Sequence, residues 1–264
     1  MVLFFQKYAI MINKYLFTAA ILLMLPFTAS AQRSLASIFR SWGFIGDSLC
    51  SGEMECYAQG ADDVSYVDLF EYSWGQQLCR LCGSEGWNFS HGGQTVHGWL
   101  SEIDGQRGWG YAKQNPKQAY IIALGYNDYY ASLRGVEGFS LAEYEADMTT
   151  LISNLKSIQP DARFFVLTRP KETDRENGYD AWNDVVRRLP ARFTNLYVID
   201  MYRDAPAYDD AFKQSYYLHG HMSPSGYLWT AWYLMDAIDA IIRSRPGDFR
   251  DIALIGTLWK ADKW

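Results

Sequence analysis

Four short blocks of this sequence carry residues suited to nucleophilic catalysis. In chain order they are Gly46-Asp47-Ser48, Gly92-Gly93, Gly125-Tyr126-Asn127-Asp128 and His221. A serine hydroxyl is a weak nucleophile until a neighbouring base takes its proton. Ser48 follows the apolar run Trp42–Ile45, and the Gly46 turn gives its hydroxyl a defined, accessible place at a strand terminus. Of His91, His97, His219 and His221, the last is the best base, because Gly220, Ser223, Pro224 and Gly226 would fix its ring just ahead of a helix. His219 is the rival, two residues away and expected to point elsewhere. Acyl transfer also needs N–H donors aimed at a developing oxyanion. The backbone N–H of Ser48, a glycine N–H at Gly93 and the side-chain amide of Asn127 are the candidates. Each residue also has a plainer reading: a histidine that caps a helix, an asparagine that closes a turn.

These blocks need elements to hold them. Apolar stretches at Trp42–Ile45, Trp87–Ser90, Ala119–Leu124, Arg163–Thr168 and Leu196–Asp200 read as strands, and Ala119–Leu124 is apolar throughout, as in a strand buried on both faces. Helical spacing is expected over Tyr66–Leu81, Thr95–Ile103, Ser140–Ile158, Tyr179–Leu189 and Pro224–Ile242. Ser140 and Glu143 form a capping-box pattern. Lys171–Gly178 reads as a charged loop, and Gly105–Gly110, which follows no strong strand, as a loop. Strands alternating with helices imply an α/β fold: a three-layer α/β/α sandwich around a central, mostly parallel five-stranded sheet. In that architecture the Ser48, Gly93 and Asn127 turns all follow strands and emerge on the same carboxyl edge, where open α/β sheets place their ligands.

Gly46-Asp47-Ser48, Gly93, Gly125-x-Asn127-Asp128 and His221 together resemble the SGNH (GDSL-type) hydrolases, over about Trp42 to Arg243. The resemblance implies a flavodoxin-like fold and ester hydrolysis. It implies Ser48 as nucleophile, His221 as base, and Ser48 N–H, Gly93 and Asn127 as the oxyanion hole, with Gly92 an alternative to Gly93. One position departs from the family. The family carries an aspartate three residues before its histidine, and here that residue is Leu218. Three explanations compete: a Ser-His dyad oriented by a backbone carbonyl, a substitute acid with Asp200 and Asp204 as candidates, or reduced or lost activity. Asp47 and Asp128 are expected to brace their turns.

Composition narrows the partners. The 264-residue chain has a formal net charge of −6 and no basic block, which argues against nucleic acid. Residues 1–31 read as a signal peptide. Lys7 and Lys14 precede the apolar run Tyr15–Phe27, which is too short to span a membrane comfortably, and Ala29-Ser30-Ala31 is a small-residue cleavage pattern. Cleavage after Ala31 would leave a single domain, 32–264, in the periplasm or outside the cell, with no integral membrane segment. Cys50, Cys56, Cys79 and Cys82 then suggest one or two disulfides, with packed core thiols or half a zinc site as alternatives. No metal-ligand pattern and no cofactor loop stands out, so neither metal nor organic cofactor is expected. The aromatic residues Trp99, Trp109, Tyr126, Tyr129 and Tyr130 lie close to the site blocks and suit a sugar face or ordinary packing. The expected substrate is a small-molecule or glycan ester, with acetyl removed from carbohydrate. The alternatives are a lipid or lysophospholipid esterase and a glycan-binding protein on a weakened hydrolase scaffold.

Overall fold

The structure, a computed structural model, describes residues 34–60, 62–172 and 178–260. The expected signal peptide lies outside the described residues, as does most of the 171–178 loop. The described residues from Ser34 onward form one compact unit.

The first strand, β1 (Ser41–Gly46), runs into a single helical turn, α1 (Ser48–Ser51), and then a hairpin, β2 (Glu53–Tyr57) and β3 (Val64–Asp68). Helix α2 (Trp74–Cys82) leads to β4 (Glu85–Asn88), followed by α3 (Val96–Ser101) and α4 (Gly108–Gln114). Next come β5 (Ala119–Ala123), α5 (Tyr126–Leu133), α6 (Leu141–Ile158), β6 (Arg163–Leu167), α7 (Tyr179–Arg188) and β7 (Leu196–Ile199). The chain closes with α8 (Met201–Asp204), α9 (Asp210–Tyr216), the two-residue strands β8 (Tyr217–Leu218) and β9 (His221–Met222), and the long α10 (Pro224–Ser244).

Five strands form one sheet in the order β4-β1-β5-β6-β7, every pairing parallel. This is the flavodoxin-like order, in which the chain winds outward in both directions from β1 and leaves a crevice at the carboxyl ends of β1 and β5. Alternate residues of each strand enter opposite layers. Trp42, Phe44, Ile121 and Phe165 pack toward α2 and α10, whereas Ile45, Tyr120, Ile122, Phe164 and Val166 pack toward α6 and α7. Burial on both sides is why these strands read as continuous apolar runs.

The expected capping box forms: Ser140 and Glu143 close it on α6. Ser223 caps α10 ahead of Pro224. The tail packs at the amino edge of the sheet, away from the turns that follow β1, β4 and β5. Gln118, just before β5, donates to the carbonyl of Ile252 at 3.1 Å, and Arg163, the first residue of β6, donates to the carbonyl of Asp248 at 2.8 Å.

Three expectations need correction. Tyr66–Leu81 is not one helix: Val64–Asp68 pairs with Glu53–Tyr57 as an antiparallel hairpin, and α2 starts only after Ser73, whose hydroxyl accepts from Gln76 N–H. The helical spacing of Tyr66, Leu69 and Phe70 was coincidental, because a cross-strand partner 7 to 15 residues upstream decides the strand. Gly105–Gly110 is not wholly a loop, since α4 begins at Gly108. All four cysteines are free. Burial pushes the Cys50, Cys79 and Cys82 thiols upward, so they behave as small core hydrophobes.

Candidate active site

The chain leaves β1 through a tight elbow. Asp47 caps α1 by accepting from Leu49 N–H at 3.1 Å, and Ser48, half-buried, is the first residue of the turn. Gly46 is needed here for space: a Cβ would lie 2.3 Å from Cys50 Cβ. The turn after β4 carries Gly92 and Gly93. Gly93 sits at φ +72° with open space where a side chain would be, so its backbone can approach a ligand closely. The turn after β5 passes through Gly125 into α5, which presents Asn127 and Asp128 in its first turn.

These two turns are laced together. Asn127 Nδ2 donates to the carbonyl of Gln94 at 3.0 Å, and Asp128 accepts from Val96 N–H with both carboxylate oxygens, at 3.0 and 3.2 Å. One hydrogen of the Asn127 amide is thereby used to fix its plane, and the amide has a second to offer. Burial pushes the Asp128 carboxyl up to about 7 despite the Val96 N–H. Burial likewise pushes Asp47 up to about 6, opposed by the Leu49 N–H and by the Arg169 and His221 charges. Both brace their turns.

His221 enters from the other side on the small β8–β9 turn. Leu218 pairs directly with His221 across this turn, and His219 takes a left-handed conformation at φ +55° to close it. Leu218 is 42% exposed and faces solvent. The carboxylate on the imidazole comes from the hairpin instead. Glu55 Oε1 lies 2.8 Å from His221 Nδ1, and Glu53 Oε1 lies 3.1 Å from Nε2. Residues two apart on a strand share a face, so β2 holds the ring between two carboxylates. Burial alone would raise the Glu55 carboxyl, but the Gly220 N–H and His221 hold it below the usual range. Glu53 is pushed upward by burial against the pull of His221. Its Oε2 fills the space beside Gly92, where a Cβ would come within 2.0 Å. Gly92 is thus a glycine because a carboxylate packs on it.

The structure does not bring Asp200 or Asp204 to the imidazole. Asp200 receives Arg187 at 2.8 Å and Thr168 Oγ1 at 2.9 Å, and Asp204 pairs with Arg203 at 2.9 Å on the surface. The alternation Glu53-Met54-Glu55-Cys56 was the sequence signal for a carboxylate-bearing strand face, but only the tertiary fold shows which residue that face meets. The other histidines are engaged elsewhere: His91 with Glu102 at 3.2 Å and His97 with Asp147 at 3.4 Å. Among the described residues, no three His, Cys, Asp or Glu side chains are arranged to hold a metal ion.

The aromatic residues near the blocks divide. Trp99 is fully buried and donates its indole N–H to the Phe89 carbonyl at 2.8 Å. Tyr129 is also core. Tyr126 lines a cavity of about 110 Å³ beside the elbow, together with Asp47, Leu49, Gly125 and Arg169. The Arg169 guanidinium lies 3.4 Å from the Tyr126 ring centre and pairs with Glu172 at 2.5 Å.

With this geometry in hand, similarity to known proteins defines the class. The GDSL-like Lipase/Acylhydrolase family profile matches residues 44–229, and the chain belongs to that family. Similar solved structures are esterases of the same fold. One is a Corynascus thermopiles (Myceliophthora fergusii) carbohydrate esterase family 2 enzyme with a carbohydrate binding domain, at 16% identity and TM-score 0.57, covering 77% of this chain and 67% of that one. Another is the psychrotrophic esterase EstA from Pseudoalteromonas sp., inhibited by monoethylphosphonate, at 17% identity and TM-score 0.54, covering 77% and 99%. A third is a family two carbohydrate esterase from Clostridium thermocellum in complex with cellohexaose, at 17% identity and TM-score 0.54, covering 79% and 65%. At these identities the likeness is one of fold. No curated protein sequence matches the chain. No helix of the described residues is long and apolar enough to cross a membrane.

Proposed function

We propose that this protein is an exported serine esterase that removes small acyl groups, acetyl above all, from carbohydrate. Ser48 Oγ attacks the ester carbonyl carbon while His221 Nε2 takes its proton. The carbonyl oxygen becomes an oxyanion held by Ser48 N–H, Gly93 N–H and the Asn127 amide. His221 returns the proton to the departing alcohol, and water then releases the acid from Ser48 by the same steps. Glu55 takes the place of the family aspartate: on Nδ1 it orients the ring, fixes the tautomer and stabilises the imidazolium. The Gly220 N–H and His221 itself favour the carboxylate form of Glu55 that this role needs.

The observation that carries this reading is the 2.8 Å contact between Glu55 and His221 Nδ1. It supplies an orienting carboxylate where Leu218 leaves none. Family membership supports ester hydrolysis, and the carbohydrate esterases among the similar folds support the choice of substrate. Export rests on the leader pattern of residues 1–31.

Turnover of p-nitrophenyl acetate that disappears in Ser48→Ala tests the mechanism. Acetate, butyrate and octanoate esters test the acyl preference. A marked preference for octanoate would replace the deacetylase reading with the lipid-esterase one, the cavity beside Leu49 and Tyr126 then taking the chain.

A further inference from the structure

We propose that the face of the β2–β3 hairpin bearing Glu53, Tyr66 and Tyr57 is the subsite for the departing alcohol, built for a neutral sugar ring with a free hydroxyl beside the ester. This rests on the esterase reading and goes further by assigning the alcohol half of the substrate.

The argument begins at Nε2. The nitrogen that takes the serine proton must hand it to the departing oxygen, so the alcohol comes within hydrogen-bond reach of Nε2. The oxyanion donors lie on the turns after β1, β4 and β5, which leaves the hairpin side of the imidazole for the alcohol. Hairpin register puts Glu53 opposite Asp68, Glu55 opposite Tyr66 and Tyr57 opposite Val64 on this one face. Tyr66 is 59% exposed and Tyr57 51% exposed. Their rings meet the two histidines of the β8–β9 turn: Tyr66 to His221 at 5.7 Å between centres, and Tyr57 to His219 at 5.8 Å. An exposed aromatic ring joined directly to the catalytic imidazole is a surface on which the apolar C–H face of a sugar can lie.

Charge selects the kind of sugar. Glu53, Glu55 and Asp68 all stand on this face, and the Asp68 carboxylate is taken up by Arg107 at 3.1 Å and by Ser51. A uronate would meet repulsion there, and a neutral ring would not. Glu53 explains the free hydroxyl. In the unliganded site its Oε1 sits 3.1 Å from Nε2, where the departing oxygen must come. A bound ester displaces the carboxylate from the ring but not from the cleft, because it packs on Gly92. A half-buried carboxylate so displaced needs a new donor, and a hydroxyl on the carbon next to the ester oxygen supplies it.

The test compares three substrates with wild type, Glu53→Gln and Tyr66→Ala: p-nitrophenyl acetate, a mono-O-acetylated methyl xyloside, and the same xyloside with its free hydroxyls methylated. The wild type is expected to favour the free-hydroxyl sugar over the methylated one by about tenfold or more in kcat/KM. Glu53→Gln narrows that preference. Tyr66→Ala lowers the ratio of sugar to aryl-ester kcat/KM by about five- to tenfold. Equal rates on the two sugars, or ratios unmoved by both substitutions, would overturn the proposal while leaving the esterase intact. Absence of Ser48-dependent turnover on every substrate would instead overturn the esterase reading, and the alcohol subsite with it.

Discussion

Glu55 is the residue on which the proposed mechanism turns. Glu55→Gln retains size and one acceptor but loses the charge that fixes the tautomer and stabilises the imidazolium. It should lower kcat by about 10²–10⁴-fold, read with p-nitrophenyl acetate. Asp200→Asn should leave kcat close to wild type and lower stability, because Asp200 serves Arg187 and Thr168. Leu218→Asp should bring no gain in rate: position 218 faces solvent, and the Nδ1 partner is already present. A clear gain would show that Glu55 does not fill the role. Ser48→Ala and His221→Ala should each abolish nearly all turnover and the pair no more, since they act as a unit. Asn127→Ala removes one proposed oxyanion donor and also the tie to Gln94. It should cost about 10²–10³-fold in kcat.

At the scale of elements, the hairpin and the Gly92-Gly93 turn form one device. A methyl group at position 92 would overlap Glu53 Oε2, so Gly92→Ala must push that carboxylate aside and disturb the histidine beside it. Removing the carboxylate removes the conflict. Gly92→Ala should therefore be milder in a Glu53→Ala background than in the wild type, with a coupling of about 0.5–3 kcal/mol in a double-mutant cycle of kcat/KM. Additive effects would mean the two do not share the space. The turns after β4 and β5 are a second such unit. Asp128 satisfies the Val96 N–H at the start of α3, and Asn127 reaches back to Gln94. The position of Gly93, the oxyanion donor proposed on the β4 turn, thus depends on the turn after β5 being in place.

At the scale of the molecule, buried carboxyls set the pH response of stability. Asp47 and Asp128 titrate near 6 and 7 in the fold, against 3.8 without it. Between those values the native state binds more protons than the unfolded chain, so their contribution falls as pH rises from about 4 to 7. Glu55 and Asp200 are held below their ordinary values. Their contribution is present above the unfolded values and is lost as pH falls through them. The two trends meet near pH 4, so stability should peak at about pH 4, and Asp128→Asn should flatten the decline toward pH 7, as read from urea midpoints. The cysteines give a separate check. Thiol titration without reductant should find four reactive groups in denaturant, and Cys56, the only one of the four not fully buried, should react first in the native protein.

The five strands of the parallel sheet, the long helices between them and the turn at Gly46-Asp47-Ser48 were legible in the sequence alone, whereas the β2–β3 hairpin was not. Their signals are local: apolar runs buried on both faces, capping residues, and glycines at turns. That the turns carrying Ser48, Gly93 and Asn127 open on one edge followed from those local signals, because in a parallel sheet every strand-to-helix turn opens on that edge. The carboxylate at His221 did not follow. Glu55 and His221 are 166 residues apart, and a short β2 strand with no apolar core of its own offers little to read before its partner is known. Leu218 pointed to a vacancy, and only the packing of the hairpin against the β8–β9 turn filled it. Of the aromatics near the site blocks, for which a sugar face and ordinary packing were both open, Trp99 and Tyr129 belong to the core, whereas the hairpin exposes Tyr57 and Tyr66. Local patterning decides which elements form; side chains from distant elements meet only when those elements are stacked, and this site is made of such meetings.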